Sequence, residues 1–415
     1  VSVVARPLRR GQGVGVDRRF GWLWTAYGVS TFGTWLAFDA FPLIAILVLH
    51  AGPAAVSALA AAGPAAGALV AVPLGPWVEF RRKRPVMVGM DMLRAGALLT
   101  IPVAYALGAL SLAQLALVSV VTGAADIAFK SASGAYLKHL LPAEQRLRAN
   151  ARFEQTTWTA TLLGPPLGGA AIGLFGPVLT VVTNAASFVV SALSLKAIRD
   201  REAPPERVGG RPGDLVEGWR HILRHPALRP LFLNTVLVNT LILVSAPLMA
   251  VLMLGRLGFA PWQYGLAFGL PCAGGLLGAR LSRPLAARFG TRPVLLVAGT
   301  LRACWSLGLA FVRPGVAGLI LVIVVQFGLV ASVGVFNPVF ATYRLEESGA
   351  AVARVLSAWS VTSTLTVAGA TALWGLLAEV VGPRAAIAAA GVLLLATPLL
   401  LFRRPVGVSL PRIGV

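Results

Sequence analysis

From Phe20 to Phe402 the chain repeats one pattern, in which windows of roughly 20 residues with few or no charges alternate with short polar stretches. Each window has about the length a helix needs to cross a ~30 Å hydrocarbon core. Twelve membrane-spanning helices are predicted, at approximately 22–48, 54–78, 86–108, 111–134, 154–175, 178–198, 230–254, 262–282, 293–312, 316–341, 356–378 and 384–402. Glycine and proline recur inside these windows, which suits membrane helices, where neighbouring helices re-satisfy freed backbone groups. One long hydrophilic stretch, 199–229, separates six spans from six, giving an N-terminal segment over residues 1–199, a linker 200–229 and a C-terminal segment 230–415.

Composition agrees with this all-helical integral membrane class. Of the 415 residues 57% are apolar and 12% charged, against about a quarter charged in soluble domains. The net charge of +21 raises the question of nucleic acid, and its distribution answers it. With the N-terminus inside, 30 of the 36 Lys and Arg fall on the cytoplasmic side, three (Arg256, Arg313, Arg384) outside and three (Arg94, Lys130, Arg302) within spans. The positive charge therefore faces the anionic lipid of a bilayer, and no nucleic-acid partner is expected. The N-terminal segment lacks a short apolar region ending in a small-residue cleavage site, so the first span is read as retained. Cys272 and Cys304 lie in apolar windows without metal-ligand spacing, and neither a metal nor another cofactor is expected. The chain has no phosphate-cradling GxxxxGK[ST] run and no nucleophile–base or His-rich cluster. An enzyme is thus not expected, and any uphill transport draws on a gradient.

The two sets of spans echo each other. RPVMVGMDMLRAG at 84–96 and RPVLLVAGTLRAC at 292–304 align at an offset of 208, pairing Arg84 with Arg292, Pro85 with Pro293 and Arg94 with Arg302; Gly176-Pro177 and Gly382-Pro383 form a weaker pair. Ahead of the first copy stands GPWVEFRRKRP, residues 75–85. With twelve spans and a central loop, this stretch resembles the G-x-L-a-D-r-x-G-r-k-P motif of the major facilitator superfamily, with Gly75, Glu79, Lys83, Arg84 and Pro85 on its main positions. Trp77, Glu79 and Arg82 depart from it. The basic run and AYLKHLLPAEQRLRANARFEQTTWTATLLGPPLGG, residues 135–169, resemble the branch that contains the enterobactin exporter and macrolide efflux proteins. GPPLGG, with Gly164, Pro165, Gly168 and Gly169, is similar to the superfamily's antiporter motif. The resemblance implies two pseudo-symmetric six-helix halves, with spans one, four, seven and ten around a central cavity. It also implies that Glu79 caps the eleventh span near Arg354, with Asp91 and Arg94 in the same conformational charge network.

Ionisable groups inside spans are costly and need a reason. Asp39 is predicted to share a helix face with Thr31 and Trp35, without a cation on its own helix. It is either the group that exchanges the coupling proton or the partner of another helix. In the fourth span Ser119, Thr122, Asp126, Lys130 and Ser133 form one polar stripe. Asp126 either serves transport as a second proton-coupling candidate or simply neutralises Lys130. Asn234 and Asn239 in the seventh span, and Gln326 and Asn337 in the tenth, are substrate ligands or interhelical hydrogen-bond donors. The substrate-cavity candidates are Thr31, Trp35, Thr122, Lys130, Asn239, Gln326 and Asn337. GPPLGG is expected to be sensitive to bulk, with Gly168→Leu severe and Gly168→Ala mild.

The expected function is secondary transport in the bacterial inner membrane, proton-coupled and outward, of a drug-like or antibiotic amphipathic small molecule. A siderophore or other secondary metabolite is the alternative cargo, import the alternative direction, and a transport-dead receptor or scaffold the alternative class. Both termini are expected in the cytoplasm, and the functional unit is expected to be a monomer.

Overall fold

The computed structural model describes residues 18–37, 39–79, 81–198, 214–348 and 352–402, and every regular element among them is helical. The N-terminal group comprises α1 (Arg18–Leu36), α2 (Ala40–Leu47), α3 (Pro53–Glu79), α4 (Lys83–Ala106), α5 (Leu112–Leu140), α6 (Ala143–Phe175) and α7 (Pro177–Ala197). After α8 (Asp214–Arg224), the C-terminal group opens with α9 (Leu228–Leu243), α10 (Ser245–Ala250) and a π-helical turn (Val251–Arg256). It continues with α11 (Pro261–Gly269), α12 (Cys272–Phe289), α13 (Thr291–Cys304) and a 3-10 segment (Ser306–Phe311). The group closes with α14 (Val316–Ser348), α15 (Val352–Val381), α16 (Pro383–Ala396) and α17 (Leu399–Phe402). Each hydrophobic window coincides with one of these helices or with a run broken into two or three elements. Among the described residues nine runs are by themselves long and apolar enough to cross a membrane.

Local chemistry sets the helix ends. Ser111 caps α5 by accepting a hydrogen bond from the Gln114 backbone N–H at 3.2 Å. Gly176, Gly290 and Gly382 start α7, α13 and α16 with φ of 80°, 85° and 85°, a region open to glycine. Pro177 and Pro383 follow in the first helical position, where a missing N–H costs nothing. The GP echo is therefore a repeated backbone turn.

Three expectations are corrected. The first span is not one helix: Asp39 adopts φ 55° and ψ 20° between α1 and α2, so it does not continue the face of Thr31 and Trp35. The end of the hydrophilic linker is not loop, because 214–224 folds as α8. Its Ile222 is buried and Trp219 donates to Thr362 Oγ1 on α15 at 2.8 Å, so apolar side chains three apart dock the helix on the C-terminal group. The third correction concerns Gly168. A Cβ there would collide with the backbone carbonyl of Leu36, so alanine is already too large.

The two most extensive contacts between the groups are α3 with α15 and α6 with α11. Small residues make the second one close. A Cβ on Gly169 would stand 2.5 Å from the Pro261 carbonyl, and one on Gly265 would collide with the Pro165 carbonyl. GPPLGG thus lets the α6 backbone lie directly on α11, the means by which membrane helices gain packing energy without a hydrophobic drive.

The buried core is organised by end. Away from Arg81–Arg84, one apolar cluster runs through both groups, from Leu43, Ile44 and Val56 to Leu248, Met253, Tyr264 and Ile387. Toward Arg81–Arg84 the described buried residues split. One cluster draws on the N-terminal group alone, around Met87, Phe129 and Tyr136, and the other on α8 and the C-terminal group, around Ile222, Phe336 and Trp359.

The packing argument gives a test by melting temperature in detergent. Gly168→Ala and Gly265→Ala are each expected to destabilise by about 1–3 kcal/mol, since the obstacle is backbone and cannot swing away. Gly173→Ala, with nothing within 4 Å of the added carbon, should melt with the parent or slightly above it. Equal melting of all three would remove the close α6 contacts from the account.

Candidate functional site

A cavity of about 580 Å³ opens among α2, α3, α4, α5 and α7, with Ser360, Val361 and Thr364 of α15 completing its wall. Most of the lining is apolar, including Phe41, Leu59, Leu98, Ile127 and Phe188. Thr34, Ser119, Thr122 and Asn184 add uncharged polar groups, and the charged residues are Asp39, Asp126 and Arg94. Apolar walls with a few fixed polar groups are the usual make-up of a small-molecule site.

The three charges are held differently. Arg94 is buried on α4, with its guanidinium on the Asp91 carboxylate one turn earlier and 3.2 Å from Asp126 Oδ1 on α5. Phe129 and Phe188 sandwich it, with ring centroids 4.7 and 4.1 Å from Cζ. Ser191 on α7 donates to the other Asp91 oxygen at 2.7 Å. Lys130 reaches Asp126 Oδ2 at 2.7 Å from a side chain 69% exposed, whereas Asp126 is 36% exposed. The sequence-predicted pair of Asp126 and Lys130 forms, and Arg94 joins it to Asp91, so two groups of residues read separately in the sequence make one network. Asp39 stands apart. Its Oδ2 accepts a 2.6 Å hydrogen bond from the Tyr264 hydroxyl on α11, in the other helix group.

The remaining candidates divide. Thr122 lines the cavity; Thr31, Trp35, Lys130, Asn239, Gln326 and Asn337 do not belong to its wall. Trp35 instead packs under Gly164, where a Cβ would come 2.5 Å from the Trp35 Cβ. Asn239 and Asn337 are exposed and Gln326 is half-buried. Asn234 is interhelical glue: it donates to the Thr397 carbonyl at 2.8 Å and accepts from Arg302 at 2.7 Å. In the loop motif Arg84 donates to the Leu195 and Lys196 carbonyls at 2.9 and 2.6 Å, closing the end of α7. Lys83 donates to the Arg81 carbonyl, and Pro85 sits in the first turn of α4. Gly75 falls within α3. The side chains of Glu79 and Arg354 are outside what the structure describes, and so is the expected cap between them.

A family model for the Major Facilitator Superfamily matches residues 23–353. The chain belongs to this superfamily. Among curated proteins it is similar to the multidrug efflux pump Tap of Mycobacterium tuberculosis, 28% identical over 347 residues that span 80% of each chain. Two solved structures share the fold. The nucleoside transporter NupG aligns with a TM-score of 0.72 at 10% identity, over 93% of this chain and 99% of that one. A bacterial homologue of the iron transporter ferroportin, in an inward-facing state, aligns with a TM-score of 0.65 at 19% identity, over 92% and 99% of the two chains. This superfamily member is a multi-pass membrane transporter and not an enzyme.

Sequence reasoning missed Tyr264 and the Phe129–Arg94–Phe188 sandwich. A signal for the first existed: a tyrosine hydroxyl in an apolar window needs a hydrogen-bond partner when buried, and Tyr264 is 2% exposed. No local spacing points to the second, because its rings come from different helices.

Burial decides which charge of the network matters most to stability. Asp91→Asn leaves the buried Arg94 short of its most enclosed counter-ion and is expected to cost on the order of 3 kcal/mol in unfolding experiments in mixed micelles. Asp126→Asn should cost less, since Arg94 keeps Asp91 and both Asp126 and Lys130 are less enclosed. The reverse order would contradict this assignment.

Proposed function

We propose that this transporter is a proton-coupled exporter of drug-like or antibiotic amphipathic small molecules in the bacterial inner membrane. The observation that carries the reading is the cavity itself, apolar over most of its wall and holding Asp39, an acid to which no cation is bound among the described residues. An intramembrane carboxylate without a counter-ion is suited to taking up and releasing a proton as the site changes its exposure. Similarity to a multidrug efflux pump supports the export of drug-like cargo. The close backbone contact made by GPPLGG supports its role as an antiporter-like pivot.

The proposed architecture has twelve spans in two six-helix halves, 1–199 and 230–415, joined by 200–229, with both termini cytoplasmic and a monomer as the working unit. The charge asymmetry supports this orientation. The core that is shared at one end and divided at the other supports a cytoplasm-open arrangement of halves that rock about the joined end. Asp126 is the second proton-coupling candidate, with Arg94 and Lys130 regulating its charge. The loop motif acts on conformation and not on cargo.

Two measurements test this reading. Reporter fusions after Leu110 and after Ala260 are expected to report the external side, and a cytoplasmic signal at either would break the topology. In proteoliposomes Asp39→Asn should abolish uphill export driven by an imposed pH gradient while downhill exchange persists, because asparagine keeps the size and hydrogen-bonding capacity but releases no proton. A fully gradient-driven Asp39→Asn protein would remove Asp39 from coupling.

A further inference from the structure

Asp39 occupies the N-cap position of α2, where an aspartate ordinarily accepts from the backbone N–H groups of its own helix. It makes no such bond. The backbone there lies in the left-handed region, at φ 55°, which non-glycine residues rarely adopt and which points to a functional constraint when it occurs beside a binding cavity. The carboxylate is spent across the interface, on Tyr264 of α11. Tyr264 is itself fixed from several sides. It belongs to the apolar cluster shared by both helix groups, its ring packs on Phe268 with centroids 4.8 Å apart, and the adjoining Gly265 lies against the Pro165 carbonyl of GPPLGG. One hydrogen bond therefore links the cavity's unpaired acid to the contact that holds the two groups together.

The charge balance of the cavity identifies what competes for that acid. Arg94 is covered by Asp91 and Asp126, and Asp126 is covered by Arg94 and Lys130. Among the described residues Asp39 has only a neutral hydroxyl, so a cation entering this largely apolar space finds its strongest partner there.

We infer that Tyr264 is a positioning residue that holds the place on Asp39 taken by the positive group of an amphipathic organic cation, so that loading the cavity releases the bond joining the helix groups at their shared end. The inference rests on the exporter reading for its direction of travel. Occupancy and gating are then one event: the cargo gains the carboxylate and the interface loses its polar tie. A ligand without positive charge leaves Tyr264 on Asp39 and the joined end closed.

The experiment uses the full chain in nanodiscs, with Cys272 and Cys304 replaced by alanine and spin labels at Leu107 and Val380, both exposed beyond or near the ends of α4 and α15 at the joined end. Tetraphenylphosphonium is the probe cation. In the otherwise unchanged protein its addition is expected to create a longer-distance population. Tyr264→Phe, which keeps the ring, should show that population without the probe and bind the probe on the order of tenfold more tightly, equivalent to about 1.4 kcal/mol. Asp39→Asn should bind the probe on the order of tenfold more weakly and need correspondingly more of it for the distance change. Binding that leaves the label distance fixed in the unchanged protein would overturn the inference, and so would a Tyr264→Phe affinity within twofold of the parent. A probe-dependent distance change that survives alongside an Asp39→Asn protein still driven by a pH gradient would support the Tyr264 role and reject the coupling role of Asp39.

Discussion

A buried guanidinium in a membrane helix has no water to turn to, and the position of Arg94 dictates much of what surrounds it. Three helices answer its charge. α4 brings Asp91 from one turn away, α5 brings Asp126 and Phe129, and α7 brings Phe188 and, through Ser191, a bond that orients Asp91. Removing Asp91, the fully enclosed partner, leaves a desolvated charge short of its counter-ion, a much larger penalty than losing an exposed ion pair. The network is therefore a constraint on helix arrangement first. Its polar surface becomes available to a ligand only because Asp126 and Arg94 also reach the cavity wall.

The second copy of the sequence repeat shows what happens when that constraint is relaxed. Arg302 is buried like Arg94 and lies over the Phe336 ring at 3.6 Å, yet among the described residues no carboxylate pairs with it. Its partner is the Asn234 side-chain oxygen, and Gly299 stands where the offset of 208 would put the equivalent of Asp91. A neutral amide supports a cation without adding a titratable group. The acidic chemistry near the cavity consequently belongs to the N-terminal group, while the C-terminal group contributes Tyr264 and the uncharged wall of α15. Both copies of the repeat set the arginine over an aromatic ring, whereas the described carboxylates that pair with it lie in the first copy alone.

How much of this could be read from the sequence depended on distance along the chain. The windows of apolar residues located the helices, because hydropathy is a sum over neighbours. Asp126 and Lys130 were legible as a pair because four residues make one helical turn, and Arg94 and Arg302 were legible as equivalents because the repeat is nearly in register. Asp39 was misplaced on a continuous face because nothing in TWLAFDAFPL announces a left-handed residue that is not glycine; Pro42 falls within the first turn of α2, where it is tolerated. The linker helix α8 is hidden from a hydropathy sum because charged residues offset its apolar ones; its signal is the three- and four-residue spacing of Leu215, Val216, Trp219, Ile222 and Leu223. Gln326 and Asn337 show the opposite failure. Eleven residues apart, they fall on nearly one face of a helix, but periodicity does not say which face meets the cavity, and their side chains are not in its wall. For a contact between distant helices the need of a partner can be legible, as at Tyr264, but which residue meets it, here Asp39, has no local signature.

The same logic distinguishes the two ends of the molecule. At the Arg81–Arg84 end each helix group closes its own described core, so separating the two there would expose no new apolar area from those clusters. At the other end the core is common property, and separating the groups would uncover side chains from both. In a bilayer the hydrophobic term between helices is weak, so the resistance to separation comes from packing and from the few polar bonds that cross the interface. GPPLGG supplies the packing by admitting backbone to backbone, and Asp39 with Tyr264 supplies a polar bond beside it. Packing of this kind responds to no ligand, whereas a carboxylate responds to charge. Placing the responsive contact next to the unresponsive one gives a ligand in the cavity leverage on a contact that would otherwise be fixed.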